Sequence, residues 1–263
     1  MKLRINKNWE ERFVMARSIS KRKKPSKDDF QLKERFKTES EVFDRQTLIV
    51  LSKLIKKGIL QNIDYPISTG KEANVFRATT NDGTFVAVKI YKRETSPFAR
   101  KEAYLDGDPR FERIKHSDKE IVKAFTRKEF KNLELCQKGG VHTPKPYYVV
   151  DNVIVMEFIG DHELPYPTLN VIGSQNPEKD LEMILEEIKK MYKVGLVHAD
   201  LSEYNIIMKD VPYLIDFGQG VITRHPAAGK FLERDVMTIL KYFAKRGAKR
   251  DLETVLKWIK EEN

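Results

Sequence analysis

Residues 196–208 read LVHADLSEYNIIM, a run that is apolar at both ends and broken in the middle by His198, Asp200, Ser202, Glu203 and Asn205. A strand buried on both faces reads as a continuous apolar stretch, so a run that opens onto a carboxylate, and then an amide five positions later, is not one core strand. It reads as two short strands holding a rigid polar loop against a cleft. The rest of the chain has to supply the walls of that cleft.

Ahead of the loop the pattern is mostly strand. Segments 74–78 and 85–91 flank Asn81-Asp82-Gly83, a hairpin turn, and segments 147–150 and 153–158 form a second hairpin across Asp151-Asn152. Two helices belong to this half. Val42, Phe43, Leu48, Leu51, Leu54 and Ile55 recur near helical spacing over 39–57, before Gly58, and a helix over 119–138 ends at Gly139-Gly140. Between strand 85–91 and that second helix, the polar segment 92–118 with Pro97, Gly107 and Pro109 reads as a long flexible loop, a functional flap by its length. After Gly160 the pattern turns helical. Leu181, Ile184, Leu185 and Ile188 share a face over 180–192, a short strand covers 213–215, and helices run from Lys230 through Phe231, Val236, Ile239, Leu240 and Phe243, then Leu252, Leu256 and Ile259.

This order predicts an α+β, bilobal fold with a strand-rich N-lobe and a reduced helical C-lobe. The expected organisation is a flexible basic arm at 1–28 carrying Lys21, Arg22, Lys23 and Lys24, a helical extension at 29–60, the N-lobe at 61–159 and the C-lobe at 160–263. The single cysteine, Cys136, excludes an intrachain disulfide or a zinc cluster and falls at core spacing on a helix. The start of the chain has no apolar signal core and no run reaches membrane-spanning length, which predicts a soluble cytoplasmic protein without membrane contact. A net charge of +10 favours acidic partners, nucleic acid or nucleotide phosphates among them.

Four short signals appear in order: Ile67-Ser68-Thr69-Gly70-Lys71-Glu72-Ala73-Asn74 between two strands, Val86-Ala87-Val88-Lys89 closing an apolar strand, His198-Ala199-Asp200-Leu201 with Asn205 beyond, and Asp216-Phe217-Gly218 after a short strand. Each alone is weak, since a lysine ending a strand is usually a surface charge. Together they supply what phosphoryl transfer needs: cationic charge on the phosphates, a divalent metal and an oriented acceptor. Lys89 offers the point charge and needs a carboxylate to hold it, with Glu129 the natural candidate and Glu120 the alternative. Asn205 and Asp216 are oxygen ligands suited to Mg²⁺ or Mn²⁺, and Asp200 is placed to orient the attacking oxygen and take its proton. His198 reads as a packed, hydrogen-bonded residue that shapes the loop. Met156-Glu157-Phe158-Ile159-Gly160 runs from a strand into the connection between lobes, where backbone groups of Glu157 and Ile159 would read an adenine packed by Met156.

The stretches ISTGKEANVFRA, VAVKIYK, VHADLSEYNIIM and LIDFGQGV resemble the nucleotide loop, lysine strand, catalytic loop and metal loop of the RIO family of atypical protein kinases. His225-Pro226-Ala227-Ala228, Phe231-Leu232-Glu233-Arg234-Asp235 and Val42-Phe43-Asp44-Arg45-Gln46-Thr47-Leu48 resemble its first, Rio-one, subfamily. The resemblance implies a small bilobal kinase that binds ATP and a divalent metal, phosphorylates serine and acts in maturation of the small ribosomal subunit. It implies Asp200 as the catalytic base, Asn205 and Asp216 as metal ligands, Lys89 on the phosphates, and Glu157 and Ile159 on adenine. It also raises an aspartyl-phosphate intermediate on Asp216.

Departures from ordinary protein kinases are visible in the residues themselves. The nucleotide loop has one glycine, Gly70, where the usual pattern has three, so Ser68, Lys71 and Glu72 bring side chains to the phosphates. No Ala-Pro-Glu follows Gly218, leaving little room for an activation segment. Serine kinase activity therefore stands beside an ATPase switch on a pre-small-subunit particle or its rRNA, bound through the basic surface. A small-molecule kinase and a scaffold with a vestigial nucleotide site are the other readings. Ser96 and Ser117 are candidate self-phosphorylation sites.

Overall fold

The computed structural model describes residues 43–93, 108, 110, 117–162 and 164–261. The basic arm, most of the extension ahead of Phe43, and Ser96 lie outside the described residues.

Helix α1 (Arg45–Lys56) begins where the Asp44 carboxylate accepts the N–H groups of Gln46 and Thr47 at 2.9 and 3.0 Å, and Gly58 turns the chain out of it at φ +72°. This helix starts later than the expected 39: Phe43 and Asp44 are not helical, because Asp44 is the cap, and 39–42 lie outside the described residues. Strands β1 (Asn62–Thr69), β2 (Ala73–Thr79), β3 (Phe85–Tyr91), β4 (Pro146–Val150) and β5 (Val153–Glu157) form one antiparallel sheet in the order β1-β2-β3-β5-β4. The sequence left β1 unplaced. Pro66 and register shifts either side of it interrupt its alternation, which an edge strand tolerates and a central one does not. Gly83 at φ +85° closes the β2–β3 turn, and Asp151 at φ 54° closes β4–β5.

Strand β3 separates the two faces. Val86, Val88 and Ile90 pack with Leu51 and Leu54 of α1, whereas Tyr91 packs with Val122 and Phe125 of α2 (Asp118–Lys138) on the opposite side. A polar network pins α1 in place: the Asn152 side chain donates to Thr47 Oγ1 at 2.8 Å and to the Tyr91 carbonyl at 2.7 Å, and Arg93 pairs with Asp151 at 3.0 Å. Within 92–118, Asp108 is fully buried and the exposed Ser117 caps α2, while most of the segment lies outside the described residues.

Past β5 the connection is cramped. A Cβ at Gly160 would lie 2.5 Å from both the Leu164 carbonyl and the Phe158 ring, so only glycine fits. Helix α3 (Leu169–Ile172) is short. Helix α4 (Pro177–Lys193) starts three residues earlier than the apolar spacing suggests, because Asn176 caps it and Pro177 suits its first turn. Strands β6 (Leu196–Val197) and β9 (Val221–Ile222) pair, as do β7 (Ile206–Met208) and β8 (Pro212–Leu214), and α5 (Ala228–Ala244) and α6 (Leu252–Lys260) close the chain. These elements enclose a second core that also takes Leu133 and the buried thiol of Cys136 from α2, so α2 bridges the two halves. Among the described residues no helix is long and apolar enough to cross a membrane.

If α1 is an integral layer on the sheet, Leu54→Ala should lower stability by about 2–5 kcal/mol, read as a shift in the urea unfolding curve. A change within error would show that α1 is only loosely applied.

Candidate active site

Alternation along β3 turns Lys89 away from α1 and toward α2. Its Nζ lies 2.7 Å from Glu129 Oε1 and 2.9 Å from Asp216 Oδ1. Burial pulls the lysine toward the neutral form, but the two carboxylates outweigh it and hold the pKa above the ordinary lysine value. Burial likewise pushes Asp216 up, and the Lys89 charge beside it pulls harder, so its pKa ends below the ordinary value. Glu129 is saturated: besides Lys89 it accepts the Phe217 N–H at 3.1 Å and the Tyr91 hydroxyl. Glu120 instead pairs with Lys123 at 2.9 Å, so the choice left open by spacing falls on Glu129.

The broken apolar run does form two short strands around a polar loop. His198 is fully buried, its Nε2 2.9 Å from the Ile215 carbonyl and its ring against Phe217. Burial pushes its pKa down to about 4, so it is neutral and serves as packing. Ala199 takes φ 63°, a left-handed conformation that an alanine adopts only when held. Asp235 of α5 holds it, accepting the N–H groups of Ala199 at 2.7 Å and Leu201 at 3.1 Å, while Arg234 donates to the Ala199 carbonyl. Between these clamped groups Asp200 remains exposed. Its pKa is raised by burial and by the Asp216 charge; Glu72 adds to the rise and Arg234 opposes it. The Asn205 amide donates to the Asp200 carbonyl at 2.8 Å, which turns its oxygen outward. Asp216, at φ 66°, has a half-exposed carboxylate with one oxygen on Lys89.

The remaining predicted residues sit at the rim. Ser68 is exposed and in register with Val75, and Gly70, Lys71 and Glu72 form the tip of a tight β1–β2 turn closed by Gly70 N–H to the Ala73 carbonyl at 2.9 Å. A Cβ at Gly70 would sit 3.0 Å from that carbonyl, so the single glycine serves the turn. Glu72 is near enough to Asp200 to act on its charge. Met156 lies opposite Ala87 and packs against the cores of both halves. The Glu157 side chain accepts the Lys145 N–H at 3.1 Å, and the Ile159 carbonyl accepts the Tyr166 N–H at 3.0 Å.

Sequence reasoning gave no site role to Lys128, Asn132, Arg234 or Asp235. A signal existed: Asp235 falls beside Leu232, Val236 and Ile239 on the apolar face of its helix, and Lys128 and Asn132 lie beside Phe125, Glu129 and Leu133 on theirs. A charged or amide side chain on a buried face is the observation to pursue. The arrangement as a whole presents a fixed cation, an exposed carboxylate with a raised pKa, and an amide and carboxylate oxygen pair across a cleft. That set suits transfer of a phosphoryl group. Hard oxygen donors suit Mg²⁺, which keeps water and phosphate oxygens in its shell; no cluster of three or more His, Cys, Asp or Glu side chains fit for a metal occurs among the described residues.

Residues 74–255 match the family described as the RIO domain. The chain is 41% identical to the RIO-type serine/threonine-protein kinase Rio1 of Haloferax volcanii, over 95% of this chain and 89% of that protein. It is 40% identical to Rio1 of Methanocaldococcus jannaschii, over 86% and 78% respectively. In fold it resembles the Rio2 kinase–ADP/Mg²⁺–phosphoaspartate complex from Chaetomium thermophilum, with a TM-score of 0.63 at 20% identity over 82% of this chain and 67% of that one.

Two buried groups in and beside the catalytic loop titrate in opposite senses. The folded chain refuses a proton at His198 until about pH 4 although the unfolded histidine takes it near 6.5, so this group costs stability as pH falls through that window. Asp235, raised by burial to about 7 from 3.8, binds a proton in the folded chain first and adds stability over the same fall. Urea midpoints followed from pH 7 to 4 should therefore drop more steeply than wild type in Asp235→Asn and less steeply in His198→Asn. Parallel curves for all three chains would refute both assignments.

Proposed function

The chain belongs to the RIO family and is a serine/threonine-protein kinase of the Rio1 type, and from that premise we propose how its cleft transfers phosphate. The observation that carries the proposal is the pair of bonds from Lys89 to Glu129 and Asp216. Lys89, kept charged and fixed in direction by Glu129, binds the ATP phosphates. Ser68, Gly70, Lys71 and Glu72 at the hairpin tip face the same phosphates, with side chains in place of the missing glycines. At the connection between halves, the Glu157 carbonyl and the Ile159 N–H meet adenine, and Met156 packs on its ring. Asn205 and Asp216 hold Mg²⁺ or Mn²⁺, which neutralises phosphate charge when bound. The division into an N-lobe at 61–159 and a C-lobe at 160–263 places these two sets on opposite sides of the cleft.

Asp200 orients the acceptor hydroxyl and takes its proton. The Asp235 and Arg234 clamp sets the direction of its side chain, and the raised pKa strengthens it as a base. The half-exposed carboxylate of Asp216 also qualifies as a phosphoryl acceptor, the chemistry named in the Rio2 complex. On this reading the protein works in the cytoplasm on a precursor of the small ribosomal subunit, reached through its basic surface, with ATP hydrolysis as a switch beside serine phosphorylation.

The test measures ATP consumed against phosphate transferred to protein. Asp200→Ala should lower transfer by about 10²–10⁴-fold with nucleotide affinity retained. Asp216→Ala should abolish metal-dependent turnover, and any hydroxylamine-labile phosphate should vanish with it. Wild-type transfer in Asp200→Ala would remove the assigned base, and ATP consumption far above transfer would favour the switch.

A further inference from the structure

One face of α2 reads the backbone of the metal loop from end to end. Phe125, Lys128, Glu129 and Asn132 stand at successive helical turns, at i, i+3, i+4 and i+7. Glu129 takes the Phe217 N–H at 3.1 Å. The Asn132 amide nitrogen donates to the carbonyls of Phe217 at 3.0 Å and Gly220 at 2.8 Å. Lys128 Nζ donates to the carbonyls of Gly218 at 3.0 Å and Gly220 at 2.5 Å. Both side chains are fully buried, a costly place for a lysine and an amide unless every bond they make is used.

The other end of Asn132 reaches the insertion between β3 and α2. Its Oδ1 accepts Arg110 Nη2 at 3.0 Å, and Arg110 in turn grips the buried Asp108 through Nε at 2.9 Å and Nη2 at 2.6 Å. With a guanidinium on one side and two carbonyls on the other, the orientation of the amide is not arbitrary. The loop lies flush on this face: a Cβ at Gly218 would stand 2.7 Å from the Phe125 ring and the Tyr91 hydroxyl, and one at Gly220 would stand 3.0 Å from the Asn132 amide.

We propose that Arg110, acting through Asn132, together with Lys128, are positioning residues that preset the metal loop, so that Asp216 is held in its left-handed conformation before any nucleotide arrives. The insertion is then a support of the catalytic machinery, independent of Lys89, and loosening Arg110 loosens the metal ligand. This inference rests on the reading of Asp216 as a metal ligand only in its consequence for nucleotide binding.

Hydrogen exchange of the full, nucleotide-free chain tests it without metal or turnover. In Asn132→Ala the amides of 217–220 should exchange about tenfold faster, the loss expected when buried carbonyls lose their donor, while peptides of β1 and β2 keep their wild-type rates. Arg110→Ala, which alters a more accessible side chain, should accelerate the same peptides to a smaller degree. The affinity for Mg–ADP, measured by calorimetry, should fall in the same order. Unchanged exchange at 217–220 in both variants overturns the proposal, and so does acceleration spread evenly over α2 and the sheet, which marks a plain loss of stability. Faster exchange at 217–220 with unaltered Mg–ADP affinity would uphold the support and instead refute Asp216 as the metal ligand.

Discussion

A lysine ammonium taken out of water into the space between a sheet and a helix requires compensation, and most of the site's geometry follows from how Lys89 is compensated. Glu129 and Asp216 come from separate halves of the chain, so the bonds that keep Lys89 charged also fix α2 and the metal loop relative to β3. Removing Lys89 would leave the buried Glu129 carboxylate beside a second carboxylate with no cation between them. The same bonds that keep the proposed phosphate-binding cation charged therefore hold α2 and the Asp216 loop on β3.

The catalytic loop solves a different problem. Ala199 and Asp216 both sit at positive φ, which costs about 1–3 kcal/mol each for a residue with a side chain. Such backbone persists only where neighbours over-determine it. For Ala199 those neighbours are Arg234 and Asp235 of α5; for Asp216 they are Lys89 and the α2 side chains on the carbonyls that follow. Strain and restraint thus fall together on the two residues that flank the proposed reaction.

Much of this was legible in the residues. The interruption of LVHADLSEYNIIM marked a loop held by strands because a carboxylate and an amide have no place in a two-faced core strand. Lys89, at the end of an apolar strand, reads alone as a surface charge and gained its meaning only beside the other three signals. What could not be read was long-range pairing: spacing along α2 could not separate Glu129 from Glu120, since both lie on the same helix, and only the docking of α2 on β3 decides between them. Edge strand β1 was hidden by Pro66 and its register shifts. Asp235, Lys128 and Asn132 show as polar residues on apolar helix faces, but the backbone groups of distant loops that they bind leave no trace in side-chain pattern.

The position of Cys136 has a practical consequence. Its thiol is buried among Leu133, Leu185 and neighbouring core residues, and burial drives its pKa far up, so it is an inert thiol. As the sole cysteine of the chain, it leaves the native surface silent toward thiol reagents. A single cysteine introduced at the exposed hairpin tip would then carry a fluorophore or spin label with no competing site, and distances across the cleft could be followed in the otherwise unaltered protein.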